Sequence, residues 1–260
     1  MSQENPTALI TGASSGIGRE LARLHARRGN LVLVARRTER LNALKDEVET
    51  AHGRQVTVLA EDLSDPQAPA RIHAATQDAN LTVDYLVNNA GFGGHGLFHE
   101  RAAADDRAMI EVNVQALTAL SHLYLPGMVE RGFGRVMNMA STAGFLPGPL
   151  QATYYATKAY VLSLSEALAK ELEGTGVTVT TVCPGPVATE FVERADLEGV
   201  KLFDKAATPA SVARAAYRAM DRGRRVAITD PGLAVALRGV VPFLPRSIVL
   251  AMSRKAMEKR

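Results

Sequence analysis

Short, apolar, β-branched runs alternate with longer amphipathic ones along this whole chain, and no other feature limits its fold so tightly. TALIT (7–11), LVLVAR (31–36), QVTVLA (55–60), VDYLVN (83–88), GRVMNMA (134–140), VTVTTVC (177–183) and RRVAIT (224–229) read as strands. They are apolar nearly throughout rather than at alternate positions, the pattern of parallel strands buried on both faces. Helical segments lie between them. IGRELARLHARRG (17–29) ends at Gly29, which reads as a helix C′ residue. SDPQAP offers Asp65 as a cap with Pro66 at the first helical position, and TPASVARAAYRAM repeats that arrangement at Thr208 and Pro209. Such alternation predicts an α/β fold: a Rossmann-like, doubly wound parallel sheet of about seven strands flanked by helices.

No linker or fixed-period repeat interrupts the pattern, so residues 1–260 read as one domain with a core over 6–230. Two stretches depart from the alternation. Residues 186–207 follow a strand without clean periodicity and are expected on the substrate side. Residues 231–260 form a C-terminal extension, apolar through VVPFLP and basic at its end, where Arg254, Lys255, Lys259 and Arg260 face a single Glu258.

The net charge of +3, with Asp and Glu interspersed among Lys and Arg, argues against a nucleic-acid partner. Cys183 is the only cysteine, so no internal disulfide can form and a reducing compartment is expected. The start, MSQENPTALITG, lacks a basic stretch followed by a long apolar one, which together with the cysteine count points to the cytoplasm. No apolar run reaches bilayer-spanning length without a charge. His95 and His99 are spaced for one helical face, but no third ligand is near. No metal site is expected, and both read as surface or pocket residues.

Chemistry enters with TALITGASSGIGRE. Gly12, Gly16 and Gly18 stand directly after the first strand and at the opening of a helix. Glycines there permit a tight turn and a close backbone approach to a pyrophosphate, and the helix start supplies free N–H groups and partial positive charge. The spacing is G-x-x-x-G-x-G rather than G-x-G-x-x-G, and the strand–turn–helix context carries the reading of a dinucleotide site. The second strand ends VARRTER. Arg36 and Arg37 stand where a carboxylate would accept the ribose hydroxyls of NAD, so NADP(H) is the expected cofactor, with NAD(H) the lesser alternative. Asp62, in EDLSD after the third strand, reads either as an adenine contact or as a helix-start carboxylate.

QATYYATKAY (151–160) places two tyrosines before a lysine. Tyr154 and Lys158 are four apart and Tyr155 and Lys158 three apart, and on a helix either spacing brings side chains together. A free tyrosine, with a pKa of about 10, is a poor proton shuttle near neutrality. A neighbouring ammonium favours the phenolate.

Taken in order, these motifs resemble the short-chain dehydrogenase/reductase family over roughly residues 6 to 230. TGASSGIG looks like its coenzyme motif, NNAG (88–91) like its motif after the fourth strand, and PGPVAT (184–189) like the segment that closes over the nicotinamide. The family pattern Y-x-x-x-K makes Tyr154 the acid and leaves Tyr155 a helix-packing neighbour. Asn113, Ser141, Tyr154 and Lys158 fall where the family has its catalytic four. The expected cofactor contacts are Gly12, Ser14, Ser15, Gly16, Ile17, Gly18, Arg36, Arg37, Asp62, Leu63, Asn89, Ala90, Gly91, Tyr154, Lys158, Pro184, Gly185, Val187 and Thr189. The resemblance implies hydride transfer from NADPH to a carbonyl carbon. Tyr154 would protonate the oxygen, Ser141 would hold it, Lys158 would bind the nicotinamide ribose and tune Tyr154, and Asn113 would bend its helix and hold a relay water.

For the pocket wall we expect Phe191 and Phe203 from residues 186–207, with Phe92, Leu146 and Leu150. That lining suits a small-molecule substrate that is an apolar ketone, fatty acyl or steroid-like, better than a polar sugar. The alternative function is an NADP-binding regulatory protein, but a pure binder has no use for the acid. Helices around residues 105–130 and 152–173, rich in small and apolar residues, are expected to pair copies into a homodimer or homotetramer. The extension is expected to pack over the pocket or a neighbouring subunit. Peripheral contact with anionic membrane is the less favoured reading, because Pro242 and Pro245 interrupt it.

Overall fold

The computed structural model describes residues 5–259; Arg260, counted above in the basic end, lies outside them. Seven strands, β1 (Thr7–Thr11), β2 (Asn30–Ala35), β3 (Val56–Ala60), β4 (Val83–Asn88), β5 (Gly134–Met139), β6 (Val177–Cys183) and β7 (Val226–Ile228), form one sheet ordered β3-β2-β1-β4-β5-β6-β7. Every pairing is parallel. The uniformly apolar runs are therefore covered on both faces. One core gathers Leu21, Leu41, Val48, Ala216 and Met220 from α1 (Gly16–His25), α2 (Thr38–His52) and α8 (Pro209–Asp221). The other gathers Ile72, Leu120, Tyr124 and Met128 from α3 (Ala68–Asp78) and α5 (Leu117–Glu130). Strand order reverses at β1, so β1 and β4 diverge to opposite helical layers and leave a crevice beyond their carboxyl ends.

All seven strands lie where the sequence predicts them, with shifted ends. β2 stops at Ala35, which puts Arg36 and Arg37 just past the strand. β7, at the sheet edge, keeps only three of the six residues expected. Two helix ends differ from expectation. α1 stops at His25, and Gly29 is not a left-handed cap. It closes a turn by donating to the His25 carbonyl, and a Cβ there would fall 1.9 Å from the Pro6 carbonyl oxygen. α3 starts at Ala68, not at Pro66, because the Asp65 carboxylate accepts from the Gln67 N–H and holds Pro66 in the preceding turn. Thr208 does cap α8, accepting from the Ser211 N–H with Pro209 first in the helix.

Two further elements shape the crevice. α4 (Ala103–Ile110) runs into α5 through a π-helical segment, Glu111–Ala116, and α6 (Ala152–Glu171) crosses beneath it. After β6 the chain forms the short α7 (Phe191–Arg194). Past β7 it ends in α9 (Pro231–Gly239) and α10 (Arg246–Met257). The extension folds back on residues 186–207: Lys259 bridges to Val200 in the backbone and its ammonium pairs with Asp196 at 2.6 Å. Among the described residues no helix is long and apolar enough to cross a membrane.

Candidate active site

The crevice is a groove of roughly 1220 Å³. All the cofactor-side residues expected above line it except Gly18, which lies underneath: a Cβ there would come 2.4 Å from the Gly12 carbonyl oxygen and 2.5 Å from Asn89 Nδ2. Gly12 and Gly16 have φ of +67° and +54°, which the turn requires and only glycine adopts freely. The NNAG segment closes the floor from the β4 side. Asn89 Nδ2 donates to the Thr11 carbonyl at 2.9 Å, and the Asn89 and Ala90 N–H groups both donate to Thr11 Oγ1 at 3.0 Å. Asn89 thus ties β4 to β1 rather than reaching outward. Below it, Asn88 donates to Asn138 and Asn138 to Ser165, each at 2.9 Å, pinning β4, β5 and α6 together.

The start of α1 fits a phosphate group. Its N-cap, Ser15, makes no side-chain capping bond, and no acidic residue occupies the first turn. The helix therefore presents unsatisfied N–H groups and an unneutralised positive dipole end. Past β2, the Arg37 guanidinium donates to Ser14 Oγ and Ser15 Oγ, at 3.1 and 2.9 Å through Nη2. Arg36 meets Asp62 at 3.4 Å. Burial alone would raise the Asp62 carboxyl, but the Ser64 N–H and hydroxyl, with Arg36, outweigh it and lower the pKa. Asp62 thus shapes its turn and lines the groove; it does not start a helix, since α3 begins only at Ala68.

At the other end, Ser141, Tyr154 and Lys158 converge. Ser141 caps the turn after β5, its Oγ accepting from the Ala143 N–H at 3.1 Å. Tyr154 and Lys158 share one face of α6, with the ammonium 5.7 Å from the centre of the phenol ring. Lys158 Nζ donates to the Met139 carbonyl at 2.8 Å. Burial, with no carboxylate near, draws its pKa down to about 8, and Cys183 opposes this only in part. Burial pushes the Tyr154 phenol well above its ordinary value, and the Ser141 hydroxyl, near enough to act on it, pulls the other way.

Asn113 does not line the groove. It sits one layer behind, in the π segment, where Oδ1 accepts from the Phe92 N–H at 3.1 Å and Nδ2 donates to the Phe92 carbonyl at 2.9 Å and to Thr157 Oγ1 at 3.1 Å. Its helix does depart from regular α geometry at this point. A Cβ on Gly91 would meet both Asn113 Oδ1, at 3.0 Å, and Lys158 Nζ, at 3.3 Å, so Gly91 lets these two side chains pack close to the backbone after β4.

Tyr155 lines the groove too, with its ring at 75° to that of Tyr154. Its ring lies across Gly148, where a Cβ would fall 2.2 Å from it. Its hydroxyl lies near the buried Ser253 of α10, close enough for Ser253 to ease its ionisation but short of full hydrogen-bond geometry.

The wall is built by Phe92, Phe191, Phe203 and Met257, with the Phe191 ring 5.3 Å from that of Tyr154. Leu146 and Leu150 pack into the same apolar cluster without lining the groove. His95 lines it, with Nε2 bonded to the Met257 carbonyl at 2.8 Å, while His99 is exposed. Among the described residues no three His, Cys, Asp or Glu side chains are placed to hold a metal ion.

Several groove residues escape sequence reasoning, among them Arg40, Glu190 and Arg194. Glu190 accepts from Arg37 at 2.7 Å and from Arg40, and Arg194 covers the Phe92 ring at 4.9 Å. Arg40 lies three residues beyond Arg37, at helical spacing, which is a readable signal. Glu190 and Arg194 have none, because their partners lie more than a hundred residues earlier in the chain.

Comparisons with known proteins agree with this geometry. The family model described as short chain dehydrogenase matches residues 6–198. The ketoacyl reductase HetN of Nostoc sp. is 35% identical over 216 residues, covering 82% of this chain and 75% of the relative. A short-chain dehydrogenase of Sphingobium yanoikuyae, solved in complex with NADPH, superposes with a TM-score of 0.82 at 34% identity, over 93% of this chain and 97% of the other. One from Burkholderia phymatum, solved with NAD, gives 0.82 at 27% identity, over 92% and 93%. The chain therefore belongs to the short-chain dehydrogenase/reductase family and is an NAD(P)-dependent oxidoreductase acting on CH–OH donors.

Proposed function

We propose that this protein is an NADP(H)-preferring reductase of apolar ketones, with Tyr154 as proton donor, Ser141 and Lys158 beside it, and Asn113 behind. The observation that carries the reading is the buried convergence of Ser141, Tyr154 and Lys158 at the end of a groove whose other end holds arginines. A bound nicotinamide supplies the hydride. Burial keeps Tyr154 protonated, as an acid must be before the carbonyl oxygen gains charge. Ser141 Oγ accepts from Ala143 and donates to the Pro184 carbonyl only at 3.5 Å, a bond long enough for the O–H to turn instead to the substrate oxygen and orient it. Arg36, Arg37 and Arg40, with no carboxylate at the end of β2 itself, support the preference for a 2′-phosphate. Phe92, Phe191, Phe203 and Met257 support an apolar substrate. A carbonyl panel with purified protein and NADPH tests this. We expect higher kcat/KM for apolar ketones than for sugars, and the opposite ranking overturns the substrate class.

We also propose that copies of the chain associate. Ile110, Val129 and Tyr160 stand exposed on the helices expected to pair, and Val235, Phe243 and Met252 on the extension. Met257 of that extension lines the pocket and joins its apolar cluster, which supports a packing role for the extension. Light scattering at micromolar concentration should find a dimer or tetramer; a monomer that sediments with anionic vesicles would instead favour the membrane reading.

A further inference from the structure

Arg37 has four of its five N–H groups engaged at the rim of the groove. Its Nε and Nη2 go to Ser14 and Ser15, and its Nη1 goes to Glu190 Oε2 at 2.7 Å. The other oxygen of Glu190 takes Arg40. The carboxylate thus spans the mouth of the groove, from the start of α7 on one rim to α2 on the other. The two arginines lower its pKa, Arg40 most, so it is charged at neutrality. A serine hydroxyl can rotate and donate to an incoming phosphate. A carboxylate only accepts, and beside a phosphate of about −1.5 to −2 charge it would repel.

We propose that Glu190 is a built-in counter-anion, occupying on Arg37 and Arg40 the place of the cofactor's 2′-phosphate, which must displace it to bind. This rests on the NADP reading above. Glu190 thereby sets how strongly the groove distinguishes the phosphorylated from the unphosphorylated cofactor, and it offsets one of the two positive charges when no dinucleotide is present. The three groups are roughly half exposed, so the latch is weak enough to open.

The test is equilibrium binding, read by fluorescence or calorimetry without turnover, of NADPH, NADH, 2′,5′-ADP and 5′-ADP to the full chain. Glu190→Gln should tighten NADPH and 2′,5′-ADP by about three- to tenfold, as expected for removing two exposed ion pairs, and leave NADH and 5′-ADP unchanged. The gain should shrink in high salt. Equal weakening of all four ligands would make Glu190 a simple anchor for α7 and overturn the proposal, as would no change at all. Arg37→Ala separates this failure from failure of the cofactor reading. If the native protein prefers NADPH and Arg37→Ala removes the preference while Glu190→Gln does nothing, only the counter-anion role falls. If the native protein shows no preference and Arg37→Ala alters neither affinity, the NADP reading has failed and this inference falls with it.

Discussion

The two ends of the groove solve the problem of holding charge in opposite ways. Lys158 is buried with a single carbonyl acceptor, and Tyr154 beside it is buried as well, so both are pushed toward their neutral forms. Arg36, Arg37 and Arg40 are about half exposed and share two carboxylates and two serines among them. At the buried end each group has one partner and a shifted pKa, so removing it has no substitute. At the exposed end water and neighbouring groups can stand in, and each contact is worth little by itself. On the function proposed above, chemistry belongs to the first end and selectivity to the second.

The sharpest way to break this contrast is Tyr154→Phe. Reduction should fall by about 10²–10⁴, the usual worth of a positioned acid, while NADPH binding persists. Tyr155→Phe should retain most activity, since that hydroxyl lies near Ser253, even though Tyr155 also lines the groove. A reversal of the two results would refute the assignment. Next in size is Arg36→Asp with Arg37→Ala. Losing charge-assisted hydrogen bonds to a phosphate should weaken NADPH by about ten- to a hundredfold and NADH far less. Equal losses in titrations with both cofactors would show that the arginines merely hold Ser14 and Ser15 in place.

A smaller effect appears in pH dependence. Lys158, with its pKa lowered from 10.5 to about 8, is charged below that pH and neutral above it. Because Tyr154 stays protonated throughout, kcat/KM for reduction should hold level below pH 8 and decline above it. Lys158→Arg, charged at any accessible pH, should flatten that decline whatever its own rate. The same shift bears on stability with the opposite sense. Between pH 8 and 10.5 the unfolded chain binds a proton that the folded chain does not, so this group's contribution rises with pH by on the order of 3 kcal/mol. A profile that declines identically in both proteins would move the titration to another group.

Much of this was legible beforehand because burial on both faces writes itself plainly into a parallel strand. Leu9, Ile10, Leu31 and Leu33 leave little else for β1 and β2 to be. The catalytic spacing was equally local, since Tyr154 and Lys158 need only one helical turn. Local signals failed where two meanings compete. Pro66 suits a first helical residue, yet Asp65 spends its carboxylate on a turn; Gly29 suits a helix cap, yet it is required by the closeness of Pro6. The Glu190 bridges could not be read at all. They join residues 153 and 150 positions apart and depend on how α7 settles across the groove.

The π segment at Glu111–Ala116 has a consequence for how this chain can vary in length. Hydrogen bonds spanning five residues rather than four store one residue more than a regular helix needs. Deleting one residue there would let the segment close into ordinary geometry, and because the wide turn absorbs its extra residue locally, the helices on either side would keep their mutual orientation, with Leu117, Leu120 and Tyr124 still in the core. What would change is the register inside the segment, where Asn113 meets Phe92 and Thr157. The extra residue is slack taken up in one turn: a length change here spares the sheet-facing helix and is felt at Asn113 alone.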